Sequence, residues 1–250
     1  MRHITLIIFI VAGFLAATSC SNKTEEPKKT VGTSTKIEGD STLYGLACDG
    51  CTDSVLVFLS GRGGDPVNYD IIDASKKRKV IGRPRVGDWV CLIVNGTDKK
   101  KADLVINLDK LKGSWVSLEK PWLRKRLDVP SLGNMDAETR HRVDSMLKIQ
   151  LKPVEMGFAL KRHYQARPIG MEYNRNKNQE SPVVYPTPKF YTEWHIFNGQ
   201  LVLTEGDLRM GNQRRVKTNY KNDTVDIVLL LRDSLRIRYK DGNEKGFYRK

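Results

Sequence analysis

The chain has 250 residues, of which 43 are lysine or arginine and 29 are aspartate or glutamate, giving a formal net charge of +14. Residues 20–111 hold 15 basic and 13 acidic residues, whereas residues 112–250 hold 27 and 16, so the basic excess belongs to the second half. After Leu15 no apolar run approaches the ~20 residues that a membrane span needs, which excludes a protein with several spans. Residues 20–250 suffice for two small domains or one large one.

The first twenty residues have the pattern of an export signal. Met1-Arg2-His3 is cationic, Ile4 to Leu15 is almost wholly apolar, and small residues lead to Cys20. Ala17-Thr18-Ser19-Cys20 resembles the lipobox of bacterial lipoproteins, in which the cysteine thiol takes a diacylglycerol and becomes the new N-terminus. We therefore expect a signal peptide at 1–19 and lipidation at Cys20. The alternatives are an ordinary cleaved signal with an incidental Cys20, or a retained membrane helix.

Residues 20–37 are expected to be a lipidated flexible tether. They are polar and lack a hydrophobic period, so they cannot bury enough apolar surface to offset the entropy lost on ordering. Attached lipid chains anchor a protein without spanning the bilayer. The lipobox resemblance implies the cell envelope of a Gram-negative bacterium, with the outer membrane as the expected location and its periplasmic or surface face left open.

Residues 38–110 are expected to form a small β domain. Short strand-like runs are separated by turn signals, of which Asp49-Gly50 is the strongest because a type I′ turn needs positive φ at both positions. The predicted strands lie at 41–48, 51–59, 68–72, 89–94 and 102–106. Several short strands in so few residues favour a small barrel. The stretch Gly87-Asp88-Trp89-Val90 resembles the strand entry of oligonucleotide/oligosaccharide-binding (OB) barrels.

Residues 111–250 are expected to be mainly β with one helix. Val143, Met146 and Leu147 follow helical spacing within Asp136 to Gln150, and Asn134 or Asp136 can cap the start. Asn198-Gly199 predicts a tight hairpin. Eight to nine antiparallel strands leave exposed edges unless they close, so a barrel is favoured. The predicted strands lie at 112–118, 156–161, 166–171, 190–197, 201–204, 215–219, 224–230, 234–239 and 246–249.

This second half resembles lipocalin-like lipoproteins of Bacteroidales-type bacteria. The matching stretches are Leu111-Lys-Gly-Ser-Trp115, Met156-Gly-Phe-Ala-Leu160, Phe190-Tyr-Thr-Glu-Trp194, Gln200-Leu-Val-Leu203 and the closing Gly246-Phe-Tyr-Arg-Lys250. The resemblance implies an antiparallel lipocalin-like barrel following the OB-like one. It implies no activity, and the insertion at 172–188 departs from the family pattern.

Cys48 and Cys51 flank the predicted turn and form a possible disulfide, as is usual in an exported protein. Reduced structural cysteines and a redox or metal role are the alternatives. Cys91 lies in an apolar strand and is expected to be a core residue.

No catalytic signature stands out. His141, His163 and His195 lack metal-ligand spacing, and G-x-S-x-G is missing from the sequence. We therefore expect neither catalytic residues nor a cofactor nor a metal, although a hydrolase using unrecognised carboxylates stays an alternative.

The expected partners are the membrane, through the anchor, and a small apolar or amphipathic ligand of the barrel. In the other form of this hypothesis, the barrel protein binds no ligand and acts as a scaffold. Basic clusters offer an alternative, the binding of anionic glycan or lipopolysaccharide, because a positive field favours polyanions. Nucleic acid is not expected, and the oligomeric state is left open. The clusters are Lys76–Lys79, Lys99–Lys101, Arg124–Arg126 and Arg214-Arg215.

Overall fold

A computed structural model describes residues 37–123, 136–170, 183–186, 189–206, 209–210, 213–214 and 221–250. The expected signal peptide, Cys20, nearly all of the tether and the strand predicted at 215–219 lie outside these residues. The described residues all belong to one compact unit.

The first sheet has six strands, and two short helices lie next to its strands in the chain. Its order is β3-β2-β1-β5-β6-β4, and all pairings are antiparallel except that of β4 with β6. The elements are β1 (Leu43–Ala47), β2 (Val55–Ser60), β3 (Val67–Asp70), α1 (Ile72–Lys76), β4 (Val80–Ile81), β5 (Trp89–Val94), β6 (Ala102–Asn107) and α2 (Leu108–Leu111).

A turn at Asp49-Gly50 lies between β1 and β2, with Gly50 at φ +89°, but Asp49 does not have the positive φ that a type I′ turn needs. The predicted two-residue hairpin is therefore wrong: segment 48–54 joins the two strands, and the Thr52 hydroxyl caps it by accepting from the Ser54 and Val55 amides.

The sequence analysis predicted neither short helix. Helix α2 begins at a side-chain cap, in which Asn107 Oδ1 accepts from the Lys110 amide at 3.0 Å, whereas the N-cap residue of α1 is Ile71 and makes no such bond. About one turn of helix is too short to produce a periodic apolar pattern, so Asn107 was the only sign of either helix in the sequence.

The second sheet is a nearly closed antiparallel barrel of eight strands. The strands are β7 (Gly113–Glu119), β9 (Val154–Leu160), β10 (Ala166–Ile169), β12 (Tyr191–Phe197), β13 (Gln200–Glu205), β16 (Asn222–Leu230), β17 (Ser234–Arg238) and β18 (Glu244–Arg249). Their order is β10-β9-β7-β18-β17-β16-β13-β12. A bridge between Gln165 and Glu193 brings the two edges of the sheet together. The prediction of a mainly β chain with an antiparallel barrel is confirmed.

The remaining elements lie in the connections of the barrel. Helix α3 (Ala137–Gln150) confirms the predicted helix, and Asp136 caps it by accepting from the Thr139 amide at 2.8 Å. No residue of α3 is buried. Two small antiparallel pairs are formed by β8 (Trp122–Leu123) with β11 (Val183–Val184), and by β14 (Arg209–Met210) with β15 (Gln213–Arg214).

The barrel core continues into the first sheet. Trp115 is fully buried, and its Nε1–H donates to the Leu111 carbonyl at 2.7 Å. One hydrophobic cluster includes Cys91, Ile106 and Leu111 of the first sheet together with barrel residues such as Leu201. The predicted boundary near residue 111 thus falls on a side chain that is buried in a shared core. A second cluster, around Leu56 and Leu92, lies within the first sheet.

The strand directions give the barrel two different ends. The proximal end, where β7 begins and β12 ends, meets the first sheet: the Tyr44 hydroxyl donates to the Ile196 carbonyl at 2.6 Å, and Asp40 Oδ1 accepts from the Asn198 amide at 2.9 Å. The predicted Asn198-Gly199 hairpin lies here, with φ of +48° and +78°. The distal end, where β7 ends at Glu119, carries the longer connections at 120–153, 170–190 and 206–221.

Candidate functional site

A polar cluster lies at the distal end of the barrel. Tyr191 at the start of β12 donates its hydroxyl to Asp223 Oδ2 at 2.5 Å, and Lys189 Nζ lies 2.6 Å from the same oxygen. The ammonium of Lys189 also lies 5.1 Å from the ring centroid of Tyr239. Lys189, Tyr191, Asp223 and Tyr239 are called the distal cluster. It combines one cation, one carboxylate and two phenols around one point of the rim.

The distal cluster is largely shielded from water on its carboxylate side. The Asp223 side chain is 11% exposed, whereas that of Lys189 is 48% exposed. Burial, followed by the interaction with Asp223, raises the pKa of Tyr191 far above its ordinary value and raises the pKa of Tyr239 to about 12. Both phenols therefore stay neutral near pH 7 and keep a hydroxyl hydrogen for donation.

An aromatic layer lies beneath the distal cluster. The ring of Phe158 packs edge-on against Tyr191, with centroids 5.8 Å apart, and in a tilted arrangement against Phe247 at 5.1 Å. Phe158 and Phe247 are both buried. Edge-to-face packing at these distances is the favoured aromatic geometry. Buried aromatic rings thus form an apolar floor below the polar rim of the distal end.

A second ion pair lies on the same rim. Lys245 contacts Glu119 at 2.5 Å, and Ser117 donates to Glu119 at 2.8 Å. Burial raises the pKa of Glu119, but the hydrogen bonds from Lys245 and Ser117 outweigh it and hold the pKa below its ordinary value. Lys245 Nζ also lies 5.6 Å from the ring centroid of Phe247, so it connects the rim to the aromatic floor.

A separate cleft of about 290 Å³ opens in the first sheet. It lies between the turn at 48–54, α1 and the segment that follows β4. Its lining residues are Cys51, Thr52, Asp53, Leu56, Ile71, Ser75, Val80, Arg83 and Pro84.

The structure brings Cys48 and Cys51 into the same turn, and both thiols are free. Their possible disulfide stays a prediction. The Cys51 sulfur accepts from the Val57 amide at 3.3 Å and lines the cleft. Cys91 is buried, as predicted, and burial raises the pKa of its thiol well above the ordinary range, which leaves it uncharged.

The three histidines of the folded part lie in separate places. His141 and His163 are exposed, and His195 is half-buried in β12, where burial lowers its pKa. Within the described ranges, no three His, Cys, Asp or Glu side chains come together as metal ligands would. These residues form no catalytic arrangement in the described part of the chain.

Two of the predicted basic clusters are on the surface of the first sheet. Lys76, Lys77, Arg78 and Lys79 are exposed, as are Lys99 and Lys100, while Lys101 is half-buried. The clusters at 124–126 and 214–215 lie outside the residues whose side chains are described. Over the described part, the helices are all too short or too polar to cross a bilayer.

Neither the distal cluster nor the cleft was predicted from the sequence. Tyr191 and Asp223 are 32 positions apart, on strands separated in the sheet by β13, and Asp53 and Arg83 are 30 positions apart. Single tyrosines and aspartates at such distances carry no spacing signal. The only sequence hint was the Phe190–Trp194 stretch, which marked the strand but not its partner.

Comparison with known proteins gives one weak likeness. A crystal structure of a lipocalin-like protein from Bacteroides thetaiotaomicron VPI-5482 is 20% identical to this chain, covering 55% of this chain and 94% of the other, with a TM-score of 0.27. No protein-family model and no curated protein matches the chain.

Proposed function

We propose that this protein is a lipid-anchored binding protein of the cell envelope, whose lipocalin-like barrel takes a small amphipathic ligand at its distal end. The observation that carries the proposal is the distal cluster above an aromatic floor. The first sheet contacts the barrel at its proximal end, so the proposal places the ligand at the distal end.

The chemistry of the distal end fits an amphipathic molecule. Phe158 and Phe247 make the interior beneath the rim apolar, while the hydroxyl of Tyr239 stays neutral near pH 7 and can donate to an acceptor group. Lys189 is 48% exposed while it pairs with Asp223, so its ammonium faces the solvent and can attract an anionic head group. A binding role is preferred to catalysis, because burial beside Asp223 raises the pKa of Tyr191, which is 3% exposed, and keeps its hydroxyl neutral and shielded. In the alternative, the barrel binds no ligand and serves as a scaffold.

Anchoring through Cys20 is the second part of the proposal. The lipobox-like Ala17-Thr18-Ser19-Cys20 and the polar tether at 20–37 support an envelope lipoprotein, in the outer membrane of a Gram-negative cell. The folded residues would then be held outside the cytoplasm, where small ligands of the envelope are available.

We infer further that the first sheet is an OB-like barrel. Strand β1 pairs with both β2 and β5, β5 pairs with β6, and α1 lies between β3 and β4. A parallel bridge between Asp70 and Lys101 joins the end of β3 to the start of β6. This bridge supports closure of the sheet, as in a small Greek-key barrel.

Binding of anionic glycan or lipopolysaccharide is a second candidate function. Its support is the exposed run Lys76–Lys79 beside Arg83 and Arg85, which concentrates positive charge on one part of the first sheet. Retention on a heparin column that weakens steeply with salt would favour it, because screening reduces exposed ionic contacts. Retention that does not change with salt would contradict it.

Native mass spectrometry tests the main proposal. The protein is purified from its own membranes in wild-type form and as Asp223→Asn, with Asp226→Asn as matched control because Asp226 lies on the exposed side of the same strand. We expect a co-purifying small molecule in the wild type and the control, and its loss from Asp223→Asn. A mass equal to that of the lipidated chain alone, in every sample, would contradict ligand binding.

A further inference from the structure

The cleft of the first sheet has an apolar floor and a polar rim. Leu56 and Ile71 are buried at its base, and Val80 is half-buried beside them. Thr52, Asp53, Ser75 and Arg83 stand around the opening. The volume of about 290 Å³ lies at the lower end of the range for ligand pockets, so the cleft suits a molecule of about one or two rings.

An ion pair spans the opening of the cleft. Arg83 Nη2 contacts both carboxylate oxygens of Asp53, at 2.7 and 3.0 Å, and the two side chains are 78% and 77% exposed. A pair so exposed contributes little to stability, because water and salt screen it. The guanidinium can therefore exchange Asp53 for another anion at small cost.

Side-chain hydrogen bonds to backbone carbonyls hold both sides of the cleft in place. Ser75 Oγ donates to the Asp53 carbonyl at 2.9 Å, which ties the turn to α1. Lys110 Nζ donates to the Arg83 carbonyl at 2.8 Å, and Arg83 itself is held at φ +35°. A non-glycine residue rarely adopts positive φ unless its surroundings impose it. The guanidinium is thus presented from a constrained backbone, at the edge of an apolar cleft.

The charge around the cleft favours an anion. Residues 72–85 hold six basic residues and a single acidic one, Asp73. Arginine binds carboxylate and sulfonate groups well because its planar fork matches two acceptor oxygens. We propose that this cleft binds a small organic anion with an apolar body, whose acid group pairs with Arg83 in place of Asp53. The site is distinct from the distal end of the barrel and does not depend on the function proposed there.

Cys51 supplies a reporter for this site. Its thiol is half-buried in the cleft lining, while the thiol of Cys48 in the same turn lies outside the lining residues. A molecule seated in the cleft should slow alkylation of Cys51 and leave the rate at Cys48 unchanged. The two rates are measured in one reduced sample by iodoacetamide labelling and peptide mass spectrometry.

The probe is naphthalene-2-sulfonate, compared with the uncharged naphthalene-2-sulfonamide. We expect the sulfonate to protect Cys51 and the sulfonamide to protect it far less. Arg83→Gln should raise the sulfonate concentration for half-protection about tenfold, because a charge-assisted hydrogen bond is lost. Arg85→Gln is the matched control and should change it little. Asp53→Asn should lower that concentration, because the competing carboxylate is removed.

Three results would contradict the proposal. Equal protection by the sulfonate and the sulfonamide would show that binding near Arg83 does not depend on the charge of the probe. Weaker protection in Asp53→Asn would show that Asp53 does not compete with the probe for Arg83, and no protection at millimolar probe would show that the cleft takes no such anion. Should Arg83→Gln fail to fold, Asp53→Asn and the comparison of the two probes still decide the question.

Discussion

Tyr191 donates its hydroxyl to Asp223 at 2.5 Å, and this bond joins β12 to β16 across the intervening β13. The tyrosine lies 3% exposed above Phe158. The bond therefore couples the polar rim of the distal end to the aromatic floor below it. Stability and ligand binding at this end should depend on the same hydroxyl.

Tyr191→Phe should lower the free energy of unfolding by about 1 kcal/mol, because it removes one partly buried hydrogen bond and leaves Asp223 with Lys189 alone. Urea denaturation of the wild type and the variant measures the difference. Tyr248→Phe is the matched control: its hydroxyl donates to Glu155 at 2.7 Å on the exposed outer face. An equal loss in both variants would contradict a special role for Tyr191.

Leu111→Ala should lower the free energy of unfolding by about 2–5 kcal/mol, as expected for a fully buried leucine. The two sheets share the core around Leu111 and Trp115, so the loss should move a single cooperative transition. Thermal unfolding is followed by tryptophan fluorescence and by far-ultraviolet circular dichroism. Two separate transitions, of which the variant shifts only one, would show that the sheets unfold independently.

The Glu119 carboxyl should titrate below the usual glutamate range of about 4.3. Since its folded pKa is depressed, the stability that it contributes is present above the unfolded pKa and is lost as pH falls through the folded pKa. Carboxyl-detected NMR titration measures the value directly. Lys245→Gln should move the pKa of Glu119 upward, because it removes the donor at 2.5 Å. If the pKa of Glu119 is the same in Lys245→Gln as in the wild type, this assignment is contradicted.

Cys20→Ser should abolish lipid attachment and release the chain from the membrane fraction or stall it as the precursor. Incorporation of labelled palmitate and fractionation of cells that make the variant measure both effects. Cys48→Ser leaves the proposed attachment site intact and should behave as the wild type. Palmitate labelling that survives in Cys20→Ser would place the anchor elsewhere.

Local sequence signals predicted the parts of the fold that depend on neighbouring residues. The Asn198-Gly199 hairpin, the Asp136 cap and the helical spacing of α3 each lie within a few positions. The antiparallel barrel followed from strand number and the need to cover edges. The site did not follow, because Lys189, Tyr191, Asp223 and Tyr239 meet only through the register of separated strands.

The first sheet contacts the barrel at the end opposite to Tyr191 and Lys189. If a ligand binds at the distal end as proposed, its exchange with solvent passes Lys189, whose side chain is 48% exposed. The rate of ligand release would then depend on residues that lie outside the core shared by the two sheets.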